Sequence, residues 1–232
     1  MSSWNKGLTK ETSLSVRKIS NTMRRKRIDN FYSWREERKV LGKIPDVHTA
    51  LEKNGDLAEL MGVVLGDGHI EKFPRTERLA IASNSNNIGF ITRYACFVED
   101  IFRKKPYVGK NQKLVNCVRI SIYQKCISKR LGIPTGSRKN LDFKVPRWIW
   151  QDKEFLVRFL RGLYEAEGSF CKHKATSTYK FLFANRNPVL LGIVFEGVQR
   201  LGFHPHRSKY QIQLSRRKEV YECKDLLNFR RY

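Results

Sequence analysis

The chain has 232 residues and a formal net charge of +24, from 46 Lys and Arg against 22 Asp and Glu. Apolar residues make up 41% of it, enough for a folded core, which excludes a disordered tail. The mutual repulsion of so many positive charges argues against an enzyme that acts on small molecules. A protein that neutralises phosphates instead gains affinity, because each contact releases counterions from the nucleic acid. The charge therefore favours nucleic-acid binding.

Residues 1–45 form a basic segment that differs from the rest of the chain. It holds twelve Lys and Arg against four Asp and Glu, with too few aliphatic residues for a core of its own. Cap and helix signals run from Thr9 to Arg27, and Pro45 marks a boundary. We therefore expect a DNA-binding arm or a small module, whose phosphate-contacting run is Arg24, Arg25, Lys26 and Arg27.

An apolar helix is predicted to start at residue 56. Asp56 is a good N-cap residue, and Glu59 stands three residues on, in the position of a capping box. The helix runs into Asp67 and Gly68. The same pattern of cap, apolar helix, acid and glycine occurs again further along the chain.

The second copy lies one hundred residues after the first. Asp152 caps an apolar helix that runs into Glu167 and Gly168, so that Glu167 stands in register with Asp67. Glu165 is an additional acid two residues before Glu167. Its helical spacing predicts that it points elsewhere and is solvated.

The repetition continues downstream of both helices. In each half a strand, an amphipathic helix, a second strand and a short helix follow in the same order. The paired segments are 79–87 and 181–188, 90–102 and 189–201, 115–123 and 210–215, and 125–131 and 218–228. We therefore predict an α+β protein with a first repeat over 50–135, a linker over 136–150 and a second repeat over 151–232.

The strings LMGVVLGDG (60–68) and LRGLYEAEG (160–168) resemble the two copies of the motif that names the LAGLIDADG endonucleases. The resemblance covers about residues 50 to 232. It implies tandem pseudo-symmetric αββαββα repeats, a saddle-shaped DNA-binding sheet surface and a two-helix interface at the centre. It also implies a homing endonuclease that cuts both strands of DNA as a monomer. The N-terminal stretch containing GLTKET resembles the NUMOD type of DNA-binding module.

Small residues in both motifs support close helix packing on physical grounds. Gly62 and Gly66 are four residues apart on one helix face, and Gly162 and Ala166 match them on the other helix. Small side chains at this spacing let two helix backbones approach closely. The C-terminal ends of both helices would then lie together.

Asp67 and Glu167 would in that arrangement lie side by side at the negative ends of two helix dipoles. Their repulsion should cost about 1 to 3 kcal/mol unless a cation offsets it. Mg²⁺ accepts carboxylate, water and phosphate oxygens. We predict that both acids are catalytic ligands of Mg²⁺ in phosphodiester hydrolysis, with no other cofactor. A structural role for two acids at helix ends is the alternative.

Supporting residues are predicted from the family resemblance and from the matched positions. The family often places a basic side chain near each scissile phosphate at the end of the last strand of a half. Lys125 fits this description in the first half, and Arg216 or Arg217 in the second, although ordinary phosphate contacts would explain them equally. Asn84 and Asn185 recur at matching places and could orient water, read bases or cap the next helix.

Alternate residues on the strands are expected to supply the remaining DNA contacts. Arg and Lys can pair with guanine, and Asn and Gln with adenine, but phosphate contacts should outnumber base contacts. The candidates, whose register the sequence does not fix, are Lys72, Arg75, Asn84, Arg119, Gln124, Lys172, Lys174, Lys180, Asn185, Arg207, Lys209, Gln211 and Gln213.

The compartment is predicted from the cysteines and from the hydropathy of the chain. Five cysteines form no C-x-x-C pair, which indicates reduced, mostly buried thiols in a reducing compartment. No stretch approaches the roughly 18 apolar residues of a membrane helix, and the N-terminus lacks a signal region. We expect a soluble intracellular protein whose partner is double-stranded DNA and not a membrane.

Other functions remain open from the sequence alone. A DNA-binding regulator or an RNA-splicing maturase could use the same fold without cutting, but neither needs the acid pair. An endonuclease inside a protein-splicing element is disfavoured, because position one is Met and no terminal His-Asn is present. A ribosome-associated basic protein would leave the duplication unexplained.

Overall fold

The structure is a computed structural model, which describes residues 5–42, 49–110, 116–137, 142–173 and 175–232. It divides into two compact units, Met1–Asp46 and Val47–Tyr232. Two residues named from the sequence, Pro45 and Lys174, lie outside the described ranges.

The N-terminal unit contains two helices, α1 (Leu14–Arg25) and α2 (Tyr32–Val40), neither of which buries a residue. The helix start predicted at Thr9 is wrong. Ser13 is the N-cap of α1, because its hydroxyl accepts a hydrogen bond from the Val16 N–H. Thr9 instead forms a turn with Thr12 just before the helix.

The C-terminal unit is built from two copies of one αββαββα pattern, as predicted. The first copy consists of α3 (Gly55–Gly66), β1 (Gly68–Lys72), β2 (Glu77–Asn84), α4 (Ile88–Phe102), β3 (Tyr107–Lys110), β4 (Cys117–Gln124) and α5 (Ile127–Leu131). A short helix, α6 (Arg147–Gln151), lies at the end of the predicted linker and extends one residue beyond it. The second copy consists of α7 (Lys153–Glu167), β5 (Gly168–His173), β6 (Thr178–Ala184), α8 (Pro188–Arg200), β7 (His206–Arg207), β8 (Gln211–Leu214) and α9 (Arg217–Leu226).

The strands form two antiparallel four-stranded sheets with matching topology. Their orders are β1-β2-β4-β3 and β5-β6-β8-β7. The α+β fold class and the tandem repeat predicted from the motif spacing are therefore confirmed.

The caps of the two motif helices differ from each other. Asp152 caps α7 by accepting the Glu154 and Phe155 N–H groups, as predicted. The cap predicted at Asp56 is wrong, because Asn54 accepts the Leu57 N–H and α3 begins at Gly55. The cap therefore lies two residues earlier than Asp56.

One core runs through both repeats, with α3 at its centre. Eleven of the twelve residues of α3 are buried, so this helix is surrounded by protein. In the sheets, residues buried against the helices of this unit alternate with residues of the opposite face, here called the outer face. The outer face of the first sheet includes His69, Glu71, Arg78, Ala82, Asn84, Arg119, Ser121 and Tyr123, and that of the second includes Ser169, Cys171, Lys180, Leu182, Ala184, Gln211 and Gln213.

All five cysteines are free thiols. Cys223 is buried, whereas Cys96 and Cys171 are exposed, so the expectation of mostly buried thiols was wrong. Among the described residues, no helix combines the length and the apolar character needed to cross a membrane.

Candidate functional site

The motif helices α3 and α7 pack backbone to backbone. A Cβ atom added at Gly162 would lie 2.0 Å from the Glu59 carbonyl oxygen, and one at Gly62 would lie 2.2 Å from the Phe159 carbonyl oxygen. A Cβ at Gly66 would lie 2.2 Å from the Ala166 Cβ. The close approach predicted from the small residues is confirmed, since no larger side chain fits without moving a helix.

The two motif acids lie at one end of this helix pair. Asp67 is the C-cap of α3, and Glu167 is the last residue of α7. The Cβ position of Gly66, next to Asp67, is only 3.5 Å from the Glu167 Cγ. Both acids are half-buried. Two carboxylates thus stand at the negative ends of two helix dipoles, where added negative charge is unfavourable.

Asn84 and Asn185 both form turns that lead into the next helix. Asn84 Oδ1 accepts the Asn86 N–H at 2.9 Å, and Asn185 Oδ1 accepts the Asn187 N–H at 2.8 Å. Asn187 in turn caps α8. The Asn185 amide also donates to Glu167 Oε1 at 3.2 Å. Asn185 therefore both shapes its turn and orients one acid.

In the first half, strand register places one basic side chain level with the acid. The Asp67 carbonyl oxygen accepts the Ala82 N–H at 3.2 Å, and Ala82 lies opposite Arg119. Asp67, Ala82 and Arg119 thus form a cross-strand row, here called the first row.

The second half has a corresponding row with different chemistry. Gly168 pairs with Phe183, which puts Glu167 level with Ala184, and Ala184 lies opposite Gln211. Glu167, Ala184 and Gln211 form the second row. It has an uncharged amide where the first row has a guanidinium.

The basic residues expected beside the acids lie elsewhere. β4 begins near the acids and runs away from them, so Lys125, six residues after Arg119, is roughly 20 Å further along the strand. Arg216 is five residues after Gln211, roughly 16 Å further, and pairs with Glu219 at 2.9 Å. The antiparallel register puts the start of each last strand, and not its end, beside the acids. The active-site roles predicted for Lys125 and Arg216 are therefore not supported.

Gln124 is the clearest misassignment among the predicted DNA contacts. Its side chain is buried, its amide donates to the Phe102 carbonyl oxygen at 3.1 Å, and its oxygen accepts from Arg130 at 2.7 Å. Because both ends of the amide are used inside the fold, Gln124 is not available to DNA.

The remaining candidates divide by face. Lys72 and Lys172 alternate with outer-face residues and lie on the helix side of their strands, and Arg207 donates to the Pro188 carbonyl oxygen. Arg75 and Lys209 are in turns. The predicted contacts that lie on the outer faces are Asn84, Arg119, Lys180, Gln211 and Gln213. In the N-terminal unit, Arg24, Arg25, Lys26 and Arg27 are all exposed.

A buried ion cluster between the halves was missed by sequence reasoning. Glu59, predicted to complete a cap, is fully buried and accepts from Arg93 at 2.7 and 2.8 Å, Arg158 at 2.6 Å and Tyr94 at 3.0 Å. Burial alone would raise the pKa of Glu59, but the Arg93 hydrogen bond and the charges of Arg161 and Arg158 outweigh it and lower that pKa. The sequence signal for such an acid was the presence of Arg93, Arg158 and Arg161 in the predicted helices.

Glu165 is also buried, and its predicted exposure to solvent was wrong. It accepts the Arg230 N–H at 2.6 Å and the Tyr232 hydroxyl. Burial raises the pKa of this carboxyl. The hydrogen-bond partners of Glu165 come from the C-terminal residues, and the helical periodicity of α7 gives no information about them.

Two outer-face residues next to the acids were also missed. His69 and Ser169 each follow a motif acid by two positions and lie on the outer face. Their matched spacing of one hundred residues was a signal that would have identified them.

The two repeats, the packed glycine motifs and the paired sheets define the LAGLIDADG fold. The solved structures that share it include the homing endonuclease I-DmoI, with a TM-score of 0.50 and 18% identity, covering 75% of this chain and 94% of that one. They also include the N-terminal LAGLIDADG domain of DUF199/WhiA, with a TM-score of 0.53 and 12% identity over 80% of this chain and 87% of that one.

Sequence comparisons are less informative. No family profile matches the chain. The tRNA-splicing ligase RtcB of Methanopyrus kandleri is 26% identical over 138 residues, which cover 53% of this chain. The match spans only 14% of the length of that protein.

Proposed function

We propose that the protein is a site-specific double-strand DNA endonuclease that hydrolyses phosphodiester bonds with a divalent cation. The observation that supports this proposal is the placement of Asp67 and Glu167. One acid comes from each repeat, both stand at one end of the backbone-to-backbone contact of α3 and α7, and the outer faces of two sheets begin beside them.

The donor set of the acid pair fits a hard divalent cation. Carboxylate oxygens are the protein ligands that Mg²⁺ prefers, and a charge of +2 offsets the repulsion at the helix ends. In the described part of the chain, no group of three or more His, Cys, Asp or Glu could hold a metal alone. Asp67 and Glu167 would therefore share the ion with water and phosphate oxygens of DNA. Once bound, Mg²⁺ supplies charge neutralisation and a more acidic water.

The surrounding residues have separate roles in this proposal. Asn185 holds the Glu167 carboxylate, and Arg119 contacts the phosphate that lies between it and Asp67. Lys180, Gln211 and Gln213 contact DNA from the outer face. The N-terminal unit adds phosphate contacts through its exposed basic run, which increases affinity without reading sequence.

The solved relatives agree with this choice of substrate and metal. A single-substitution variant of I-DmoI has been solved with its target DNA in the presence of magnesium, at a TM-score of 0.51 to this chain. I-DmoI itself has been solved with DNA and manganese, at a TM-score of 0.50. We extend double-stranded DNA and the divalent cation from that protein to this one. We also propose that the protein acts inside the cell as a monomer, in which the two repeats take the place of two subunits.

The test is cleavage of a randomised duplex library with Mg²⁺. We expect the parent protein to cut a subset of sequences on both strands. Asp67→Asn and Glu167→Gln should each lower double-strand cleavage by a factor of roughly 1000 or more while retaining binding in a gel-shift assay. Asp100→Asn, the same change at an exposed acid of α4, is the matched control and should cut like the parent. Equal cleavage by the parent and both motif variants would refute the assignment.

A second candidate function is sequence-specific DNA binding without cleavage. The likeness to the WhiA domain favours it, because that fold is not confined to proteins named as endonucleases. The same experiment separates the two functions. Tight binding to selected duplexes without any cleavage in Mg²⁺ or Mn²⁺ would show that the protein binds DNA and does not cut it.

A further inference from the structure

Two glutamines on the outer face of the second sheet each lie beside an aliphatic side chain. In the antiparallel register, Gln211 of β8 lies opposite Ala184 of β6, and Gln213 lies opposite Leu182. Gln211 and Ala184 are exposed, and Gln213 and Leu182 are half-buried. We call Gln211 with Ala184 the near pair, because it is level with Glu167, and Gln213 with Leu182 the far pair.

The chemistry of each pair matches the major-groove edge of an A·T base pair. Adenine presents N7 as an acceptor and its N6 amino group as a donor, so one glutamine amide can bind it through two hydrogen bonds. Thymine on the opposite strand presents a methyl group, which an aliphatic side chain can contact. Guanine instead presents two acceptors, which suit arginine or lysine. A glutamine and its aliphatic neighbour are therefore complementary to the two bases of one A·T pair.

The side chain of Gln213 is oriented by a residue two positions further along the chain. Its amide nitrogen donates to the Ser215 hydroxyl. An amide group has two N–H donors and an oxygen, so this bond uses one of the three hydrogen-bonding positions. Because a held side chain loses less freedom on binding, the bond with Ser215 favours a defined contact with a base.

The spacing of the two pairs agrees with the spacing of bases in a duplex. Residues two apart on one strand are separated by about 6.8 Å, and two steps of B-DNA span about the same distance. The major groove also admits a two-stranded β-ribbon, such as β6 with β8. Since β8 runs away from Glu167, the far pair should meet the duplex two base pairs further from the acids than the near pair does.

The matched positions of the first repeat have different side chains. Arg119 lies opposite Ala82 at the level of the near pair, and Ser121 lies opposite Ala80 at the level of the far pair. Neither of these two levels has an amide side chain. A preference for A·T at both levels should therefore be confined to the half of the target that faces the second sheet.

We propose that the near and far pairs read two A·T base pairs that lie two positions apart, with adenine facing β8 and thymine facing β6. This inference rests on the DNA binding within the proposed function and does not depend on cleavage. Gln211 and Gln213 are then specificity-determining residues. A contact with two hydrogen bonds discriminates against a wrong base by a factor of roughly 10 to 100.

The test is selection of bound duplexes from the randomised library, with Ca²⁺ in place of Mg²⁺, followed by sequencing. For the parent we expect A·T at two positions separated by one base pair, in one half of the target only. Gln211→Arg should change the preferred base from adenine to guanine at the position nearer the centre of the target, and Gln213→Arg should do so at the other position, each by roughly tenfold or more. Gln199→Arg, the same change at an exposed residue of α8, is the matched control and should leave the selected sequence unchanged.

A second measurement tests the aliphatic side chain of the far pair. Exchange of the thymine that faces Leu182 for uracil removes only the methyl group of that base. The exchange should weaken binding of the parent about fourfold in a gel shift, because one buried methyl group is lost from the contact. Leu182→Ala should bind the thymine and uracil duplexes with equal affinity.

Three outcomes would overturn the inference while leaving the proposed function intact. They are the absence of an A·T preference at the two positions, a change of base at the same position in both arginine variants, and equal sensitivity of the parent and Leu182→Ala to uracil. Failure of the parent to bind any duplex would overturn the proposed function, and the inference with it.

Discussion

Charged residues have different surroundings in the contact between α3 and α7 than they have on the outer faces of the sheets. In the helix contact, Glu59 and Glu165 are buried. Side chains of α4 and α7 bind Glu59, and C-terminal residues bind Glu165. On the outer faces, Arg119, Lys180 and Gln211 are displayed along strands whose other side carries the core. A buried charge must be satisfied within the protein, whereas basic and amide side chains on an open sheet face are available to a ligand. The first region holds the repeats together, and the second is suited to bind DNA.

The largest effect is expected from a side chain added inside the helix contact. In Gly162→Val a Cβ would lie 2.0 Å from the Glu59 carbonyl oxygen, so the backbones must separate. We expect a loss of about 3 kcal/mol or more in the free energy of unfolding, measured by urea denaturation. Gly192→Ala is the control, because its nearest neighbour is 3.8 Å away and it lies in helix α8. That variant should be unchanged or more stable by up to about 1 kcal/mol.

Neutralising Glu59 should have the next largest effect on the free energy of unfolding. Glu59→Gln leaves Arg93, Arg158 and Arg161 without their shared carboxylate, and we expect a loss of about 3 kcal/mol in urea denaturation at pH 7. Since the folded pKa of Glu59 is lowered, its contribution is present above the unfolded value near 4.5 and is lost as pH falls through the folded pKa. The difference in the free energy of unfolding between parent and variant should therefore become smaller below pH 4.5. A constant difference down to pH 3 would contradict the role of the charge.

The smallest effect on stability is expected on the outer face. Lys180→Ala should change the free energy of unfolding by no more than about 0.5 kcal/mol. It should also reduce the slope of log affinity for DNA against log salt by about one. Lys218→Ala removes the same charge from an exposed position on α9 and should leave that slope unchanged. An equal change in both variants would show that the outer face has no special role.

The same contrast explains which features could be predicted from the sequence. The repeats, the helix contact and the acid pair follow from local patterns, because glycine spacing and helix periodicity act within a dozen residues. Glu59 and Glu165 were misjudged because their partners, such as Arg93 and Arg230, come from distant parts of the chain. Lys125 was misplaced because strand direction, which only the folded sheet fixes, decides which end of β4 meets Asp67.

Capping shows a local limit of the same kind. Asn54 and Asp56 are both good N-cap residues, and a sequence pattern cannot choose between them within two positions. With Asn54 as the N-cap, Glu59 is not the capping-box partner that the sequence predicted, and its carboxylate binds Arg158 of α7 instead.

Anomalous scattering from Mn²⁺ in a crystal of the protein with its selected duplex would test the acid pair most directly. We predict density for the ion in contact with the carboxylates of Asp67 and Glu167 and with a phosphate oxygen of DNA. Ions bound only at other side chains, with these two carboxylates turned away from the duplex, would contradict the assignment.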